Sequence, residues 1–177
     1  MFQLADDISA LGETRQLCMA LAVIERVLVA KSLFADEGQH SSVNEIGSIV
    51  DDLWMMIARE DEMGVESYER LRVAINDCRR DIGSDSPDFR VRDICWILKS
   101  VLRVFREKEH VFEISRLGDA VASASFLNSY TEAQNQRQLL DKLTSMHSID
   151  LIGVSELRDL VRSLPINLGE PNVDHQD

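Results

Sequence analysis

Apolar residues recur along this chain every three or four positions, which is the spacing of one face of an α-helix. The pattern predicts seven helices, over about residues 13–36, 43–59, 65–82, 87–105, 108–130, 132–146 and 154–164. No segment shows the alternation typical of a strand. We therefore predict an all-α fold, a single-domain bundle of six or seven helices over residues 1–165, followed by a flexible acidic tail over residues 166–177.

The first long helix contains "LCMALAVIERVLVAKSLFA", which is apolar on more than one side and is therefore predicted to be buried. "SVNE", Ser42 to Glu45, has the spacing of a capping box and predicts the start of the second helix. Ser86 as a cap and Pro87 at the first helical position predict the start of the fourth helix. Trp54 and Trp96 fall within apolar stripes, and we expect both in the core.

Composition supports long helices, because the 177 residues include only 8 glycines and 3 prolines. The cysteines, Cys18, Cys78 and Cys95, lie among apolar residues without C-x-x-C spacing, so we expect reduced core thiols. The first residues carry acids where a secretory leader needs bases, and the longest apolar run is too short to span a bilayer. These features predict a cytoplasmic protein that does not enter a membrane.

The net charge of −12 narrows the choice of partner. Such a chain repels phosphate backbones, so we expect no nucleic-acid binding, whereas a basic protein would be attracted. Residues 51–88 hold eleven acids and five bases, and residues 89–108 hold six bases and two acids. The alternative is that the charge serves solubility alone.

The adjacent acids in "IVDDLWMMIARED" raise the question of a catalytic pair. Neighbouring residues on a helix lie about 100° apart, so Asp51 and Asp52 cannot share a proton or clamp one ion. A solvated helix face and a partner contact remain as interpretations. If a partner binds here, the predicted contact residues are Asp51, Asp52, Met55, Asp61, Glu62, Glu66 and Glu69.

Evidence for other chemistry is sparse. Glu107 and His110 have metal-like E-x-x-H spacing, but a di-metal helical bundle needs two such pairs and two further glutamates. The chain has no nucleophile-elbow, phosphate-loop or dinucleotide-binding motif. We therefore predict no enzymatic activity, no cofactor and no metal, and keep a carboxylate/histidine metalloprotein as a less favoured alternative.

The order of segments resembles the YjaG-like family of uncharacterised, all-helical bacterial proteins. The resemblance depends on "LAVIERVLVAKSLFA", with its Glu25–Arg26 pair, and on "IGSIVDDLWMMI", where an aspartate, Asp52 or its neighbour, precedes a tryptophan. It continues through "DFRVRDICWILKSVLRV", "RLGDAVASASFLNS" and "LIGVSELRDLVRSL". The resemblance implies a single all-α domain and no established reaction.

Small acidic helical domains also occur among the immunity proteins that neutralise toxins of contact-dependent growth inhibition. The leading prediction is therefore an immunity protein that occludes the basic active-site cleft of a cognate toxin, a nuclease in the preferred version. The alternative is a housekeeping helical protein that self-associates, as a homodimer for example.

Overall fold

The structure is a computed structural model, and it describes residues 6–8, 10–32, 40–81, 89–107 and 129–166. Six helices follow the short helical segment at 6–8: α1 (Glu13–Ser32), α2 (His40–Arg59), α3 (Val65–Asp81), α4 (Phe89–Glu107), α5 (Ser129–Ser145) and α6 (Leu151–Ser163). The described ranges contain no strand. The predicted all-α class is confirmed.

Helix α1 forms the centre of the bundle. Every residue from Gln16 to Leu28 is buried, and the helix packs against α2, α4, α5 and α6. A helix that is apolar on all sides is most stable when protein surrounds it, because its apolar surface is then removed from water. The prediction of a buried early helix is therefore confirmed.

Helix α2 buries one stripe and exposes the other side. Ile46, Val50 and Trp54 are buried, whereas Asp51 and Asp52 are exposed. The helix begins at His40, so the predicted capping box at Ser42 is wrong, because a cap residue must lie outside the helix that it starts.

A Schellman motif ends α2. The amide of Glu60 donates to the carbonyl of Ile57 at 3.1 Å, and the amide of Asp61 donates to the carbonyl of Met56 at 2.9 Å. The motif requires a left-handed residue, and Glu60 takes that role with φ of 55°. Glycine is the usual residue there, because a side chain is strained in this conformation.

Helix α6 begins earlier than predicted, at Leu151, because Asp150 acts as its N-cap. The Asp150 carboxylate accepts hydrogen bonds from the amides of Ile152 at 3.1 Å and Gly153 at 2.9 Å. Gly153 also lets the α5–α6 loop approach, since a Cβ there would lie 2.8 Å from the Ser148 carbonyl oxygen.

Trp96 is not a core residue, and that prediction is wrong. The buried stripe of α4 runs through Ile94, Cys95, Leu98 and Leu102, and the Trp96 side chain lies outside it, 56% exposed. Trp54 is fully buried as predicted, and Cys18, Cys78 and Cys95 are buried free thiols, also as predicted.

Several predictions fall on residues that the structure does not describe. They are the Ser86 cap, nearly all of the helix over 108–130 and, apart from Ile166, the acidic tail. The limits of the predicted domain stay predictions. Within the described ranges, the helices lack the combined length and hydrophobicity that crossing a membrane requires.

Candidate functional site

Five of the seven predicted contact residues gather where α2 ends and α3 begins. The Asp52 carboxylate lies 3.7 Å from the Arg70 guanidinium of α3, and both side chains are exposed. Met55 is one turn beyond Asp52 on α2, and Glu66 is one turn before Arg70 on α3. We call this surface the acidic face; its residues are Asp52, Met55, Asp61, Glu62 and Glu66, all exposed.

Val65 is an exposed apolar residue that sequence reasoning missed, and it lies seven residues before Arg72, on the side of α3 away from Arg70. Its side chain is 65% exposed, compared with 38% for Met55. Val65 is the first residue of α3, directly after Gly64. From the sequence, Val65 is only one more apolar residue of a helical stripe. In the structure its position in the first turn of α3 leaves the side chain in solvent.

Asp51 and Glu69 are not counted in the acidic face, and each of them, like Asp52, has a cationic partner. Asp51 accepts a hydrogen bond from Arg158 of α6, so it faces away from the α3 side that Asp52 occupies. The two neighbouring carboxylates therefore point to different helices, Asp51 to α6 and Asp52 to α3. Glu69 accepts a hydrogen bond from Arg72 at 2.8 Å, one turn away on the same helix.

Beneath Asp51 lies a buried cluster of polar groups around Glu25. The Glu25 carboxylate, only 5% exposed, accepts hydrogen bonds from Trp54 Nε1 at 2.9 Å, Arg158 Nε at 3.0 Å and Arg162 Nε at 2.9 Å. Burial disfavours the Arg158 charge, but Glu25 and Asp51 outweigh that effect and raise the pKa of Arg158 above its ordinary value. The hydrogen bonds of this cluster connect α1, α2 and α6.

The neighbouring residue, Arg26, joins α1 to two other elements. Its guanidinium is 1% exposed and forms a two-pronged ion pair with Glu132 of α5, with a shortest distance of 2.7 Å. It also donates to the carbonyls of Val161, Leu164 and Pro165 at 3.2 to 3.4 Å. Arg26 thereby satisfies backbone acceptors at and beyond the end of α6, which indicates a structural role.

A cavity of about 550 Å³ opens beside the acidic face, between the start of α1 and the end of α2. Asp61 and Glu62 line it, together with Glu13 and Glu60, and apolar side chains such as Met56 and Phe105 contribute to its walls. Arg15, also in the wall, donates to the Met146 carbonyl at 2.7 Å. The cavity therefore extends the acidic face inward.

The arrangement can bind a cation, but the described residues do not assemble a metal site. Among them, no three His, Cys, Asp or Glu side chains cluster so that they could hold an ion. The Glu107 side chain and His110, which have the metal-like spacing, lie outside the described residues.

Comparisons with known proteins give no relative: no family model, curated protein or solved structure matches the chain. The resemblance to the YjaG-like family therefore stays a prediction.

Proposed function

We propose that the chain is a binding protein that captures a basic protein domain with its acidic face, and that it acts as an immunity protein against a toxin nuclease. The single observation that supports this is the acidic face itself. It presents four exposed carboxylates, from Asp52, Asp61, Glu62 and Glu66, together with the exposed apolar side chain of Met55.

This composition suits association with a protein better than solubility alone. Carboxylates attract a basic partner over several ångströms and raise the rate of association. Exposed apolar groups add affinity when water leaves the contact. Met55 supplies a flexible apolar surface, since methionine side chains adapt to irregular partners.

Occlusion requires no reaction by this chain. A nuclease cleft is basic because it holds phosphates, and clustered carboxylates present a comparable negative charge. The cavity beside Asp61 and Glu62 offers space for a long cationic side chain of the partner. In this proposal the toxin is inhibited because nucleic acid can no longer reach its cleft.

The test is co-purification with the product of the gene directly upstream, followed by an assay of that product's nuclease activity. We compare the parent chain with a triple variant, Asp52→Lys, Glu62→Lys and Glu66→Lys. The variant should associate at least about tenfold more slowly at low salt and should lose most of its salt dependence. Asp51 is left unchanged, because it is bonded to Arg158.

A matched control changes three exposed acids outside the acidic face, Glu45→Lys, Asp141→Lys and Asp159→Lys. It alters the net charge by the same amount, and it should bind and inhibit nearly as well as the parent. Equal effects in both triple variants would show that net charge alone matters and would refute the acidic face. An upstream product that is toxic alone and is neither bound nor inhibited would refute the immunity function.

A second candidate, self-association, is favoured by a different surface. Leu151 and Ile152 are adjacent at the start of α6 and are 53% and 71% exposed. A homodimer could bury both side chains. Sedimentation velocity over a range of concentrations tests this, and Ile152→Ser should shift the equilibrium toward monomer; a parent chain that stays monomeric throughout excludes it.

A further inference from the structure

A positively charged surface lies on the other flank of α3, facing α4. Lys99 and Arg103 follow Trp96 by three and seven residues, so the three side chains share one side of α4. Arg72 and Arg79 of α3 are close enough to act electrostatically on Lys99. We call this surface the cationic patch; its residues are Arg72, Arg79, Trp96, Lys99 and Arg103.

The pairing of α3 with α4 holds the patch in place. Near the start of α3 and the end of α4, the Arg106 guanidinium lies 4.7 Å from the centre of the Tyr68 ring. Towards the opposite ends, Arg79 acts on Cys95 and Lys99. The two helices therefore run antiparallel, and the cations line one side of the groove between them.

Most of these cations have no carboxylate partner. Arg72 is bonded to Glu69, but Arg79, Lys99 and Arg103 form no ion pair within the part of the chain that the structure describes. Burial first, and then the charges of Arg79, Arg103 and Arg72, lower the pKa of Lys99. Cations crowded in this way are stabilised when an anion binds.

Trp96 gives the patch an apolar centre. It is 56% exposed, in a protein whose other tryptophan, Trp54, is fully buried. Tryptophan and arginine are the residues most enriched at the energetic centres of protein–protein contacts. An exposed tryptophan beside cations that form no ion pair with the described residues therefore suits a contact with an acidic protein.

We propose that the cationic patch binds a short acidic segment of another protein, which places an apolar side chain on Trp96 and carboxylates on Lys99 and Arg103. The distance along α4 from Trp96 to Arg103 is about 10 Å, which matches about three residues of extended chain. This surface is separate from the acidic face and has the opposite charge, so it does not depend on the proposed toxin partner.

A nucleic acid is the less suitable anion. Its affinity depends on many phosphate contacts along an extended backbone, and the patch offers only four cations. Beyond the patch, a long polyanion meets the negative field of a chain with net charge −12.

The test uses the intrinsic fluorescence of Trp96 in the full chain. The probe is a capped seven-residue peptide with one leucine flanked on each side by three glutamates, and the comparison probe is an oligothymidylate with six phosphates. The peptide should change the Trp96 emission in a saturable way, and 0.5 M salt should weaken it about tenfold. The oligothymidylate should bind more weakly than the peptide.

Variants assign the binding to the patch. Arg103→Glu should weaken peptide binding about tenfold, whereas Arg59→Glu should not, although both arginines are exposed and form no ion pair among the described residues. Trp96→Ala, followed by calorimetry, should abolish measurable binding, and thermal melts confirm that each variant is folded. The proposal is overturned by an absence of saturable binding, by equal losses in the two arginine variants, or by tighter binding of the oligothymidylate.

Discussion

The adjacent residues Glu25 and Arg26 show what a single turn of helix can organise. Because neighbouring side chains on a helix point about 100° apart, Glu25 reaches α2 and α6 while Arg26 reaches α5 and the end of α6. The pair is visible in the sequence, but its partners are not. Glu132 is 106 residues from Arg26, and no local pattern connects the two.

Removing one member of the buried pair should be costly. Glu132→Gln leaves the Arg26 guanidinium buried without a countercharge, and we expect a loss of about 3 to 5 kcal/mol in the free energy of unfolding. Urea denaturation followed by circular dichroism measures it. The double variant Arg26→Met, Glu132→Leu should lose clearly less free energy of unfolding than the sum of the losses in the single variants Arg26→Met and Glu132→Leu. A loss equal to that sum would contradict the coupling.

Glu60 is a residue whose replacement should stabilise the protein. Glu60→Gly removes a side chain from the left-handed conformation that ends α2, and should raise the free energy of unfolding by about 1 kcal/mol. Thermal unfolding provides the measurement. Glu62→Gly, in the same loop, is the control; an equal gain there would point to relief of charge repulsion instead of backbone strain.

At the scale of the helices, the periodicity of apolar residues identified most helices. It did not identify where some of them begin or which apolar side chains lie outside the core. The ends of α2 and α3 were predicted to within a residue, since long amphipathic stripes are strong signals. The start of α6 was missed, because nothing in the sequence distinguishes Asp150 from an aspartate in a loop. Its role as the N-cap depends on its hydrogen bonds to the amides of Ile152 and Gly153. Trp96 was misplaced because it lies within the apolar run "DICWIL". In such a run, neighbouring side chains point about 100° apart, so a shift of one position along the helix separates a buried side chain from an exposed one.

The cap of α6 should give a pH-dependent contribution to stability. Hydrogen bonds from Gly153, Ser148 and Ile152 lower the pKa of Asp150 below its ordinary value of 3.8. The stabilisation is therefore complete above pH 3.8 and is lost as the pH falls through the lower, folded-state pKa.

Replacing this cap by Asp150→Ala should lower the melting temperature at pH 7. The difference from the parent should shrink in acid, as the parent's own carboxylate becomes protonated. Melting curves recorded from neutral pH down to pH values below the ordinary aspartate pKa measure this. A difference that is the same at every pH would show that the carboxylate charge contributes nothing.

At the scale of the whole molecule, the striped helices place opposite charges on the two flanks of α3. The uneven charge along the chain was predicted from sequence, but the separation into an acidic face and a cationic patch depends on how α2, α3 and α4 pack. Pairing within the domain neutralises some acids, such as Glu69, and leaves others exposed. Sequence reasoning found the five acidic-face residues and could not identify which acids had internal partners.

The buried thiols should report on opening of the whole core. Burial raises the pKa of Cys18 to about 12 and that of Cys95 to about 11, so little reactive thiolate is present at neutral pH. Alkylation by iodoacetamide, followed by mass spectrometry, should be slow in buffer. It should rise across the urea unfolding transition, in step with the loss of helical signal. Rapid labelling of either thiol in buffer would contradict the burial.

The bonds of Arg26 also set the order of events during synthesis. This residue belongs to α1, the first of the six helices, yet its acceptors are at Glu132 and from Val161 to Pro165. Before synthesis has reached Pro165, α1 can collapse with α2, but the Arg26 guanidinium has no complete set of acceptors. The final packing of α1 must therefore wait until nearly all of the described chain has left the ribosome, and until then chaperones would meet an exposed apolar helix.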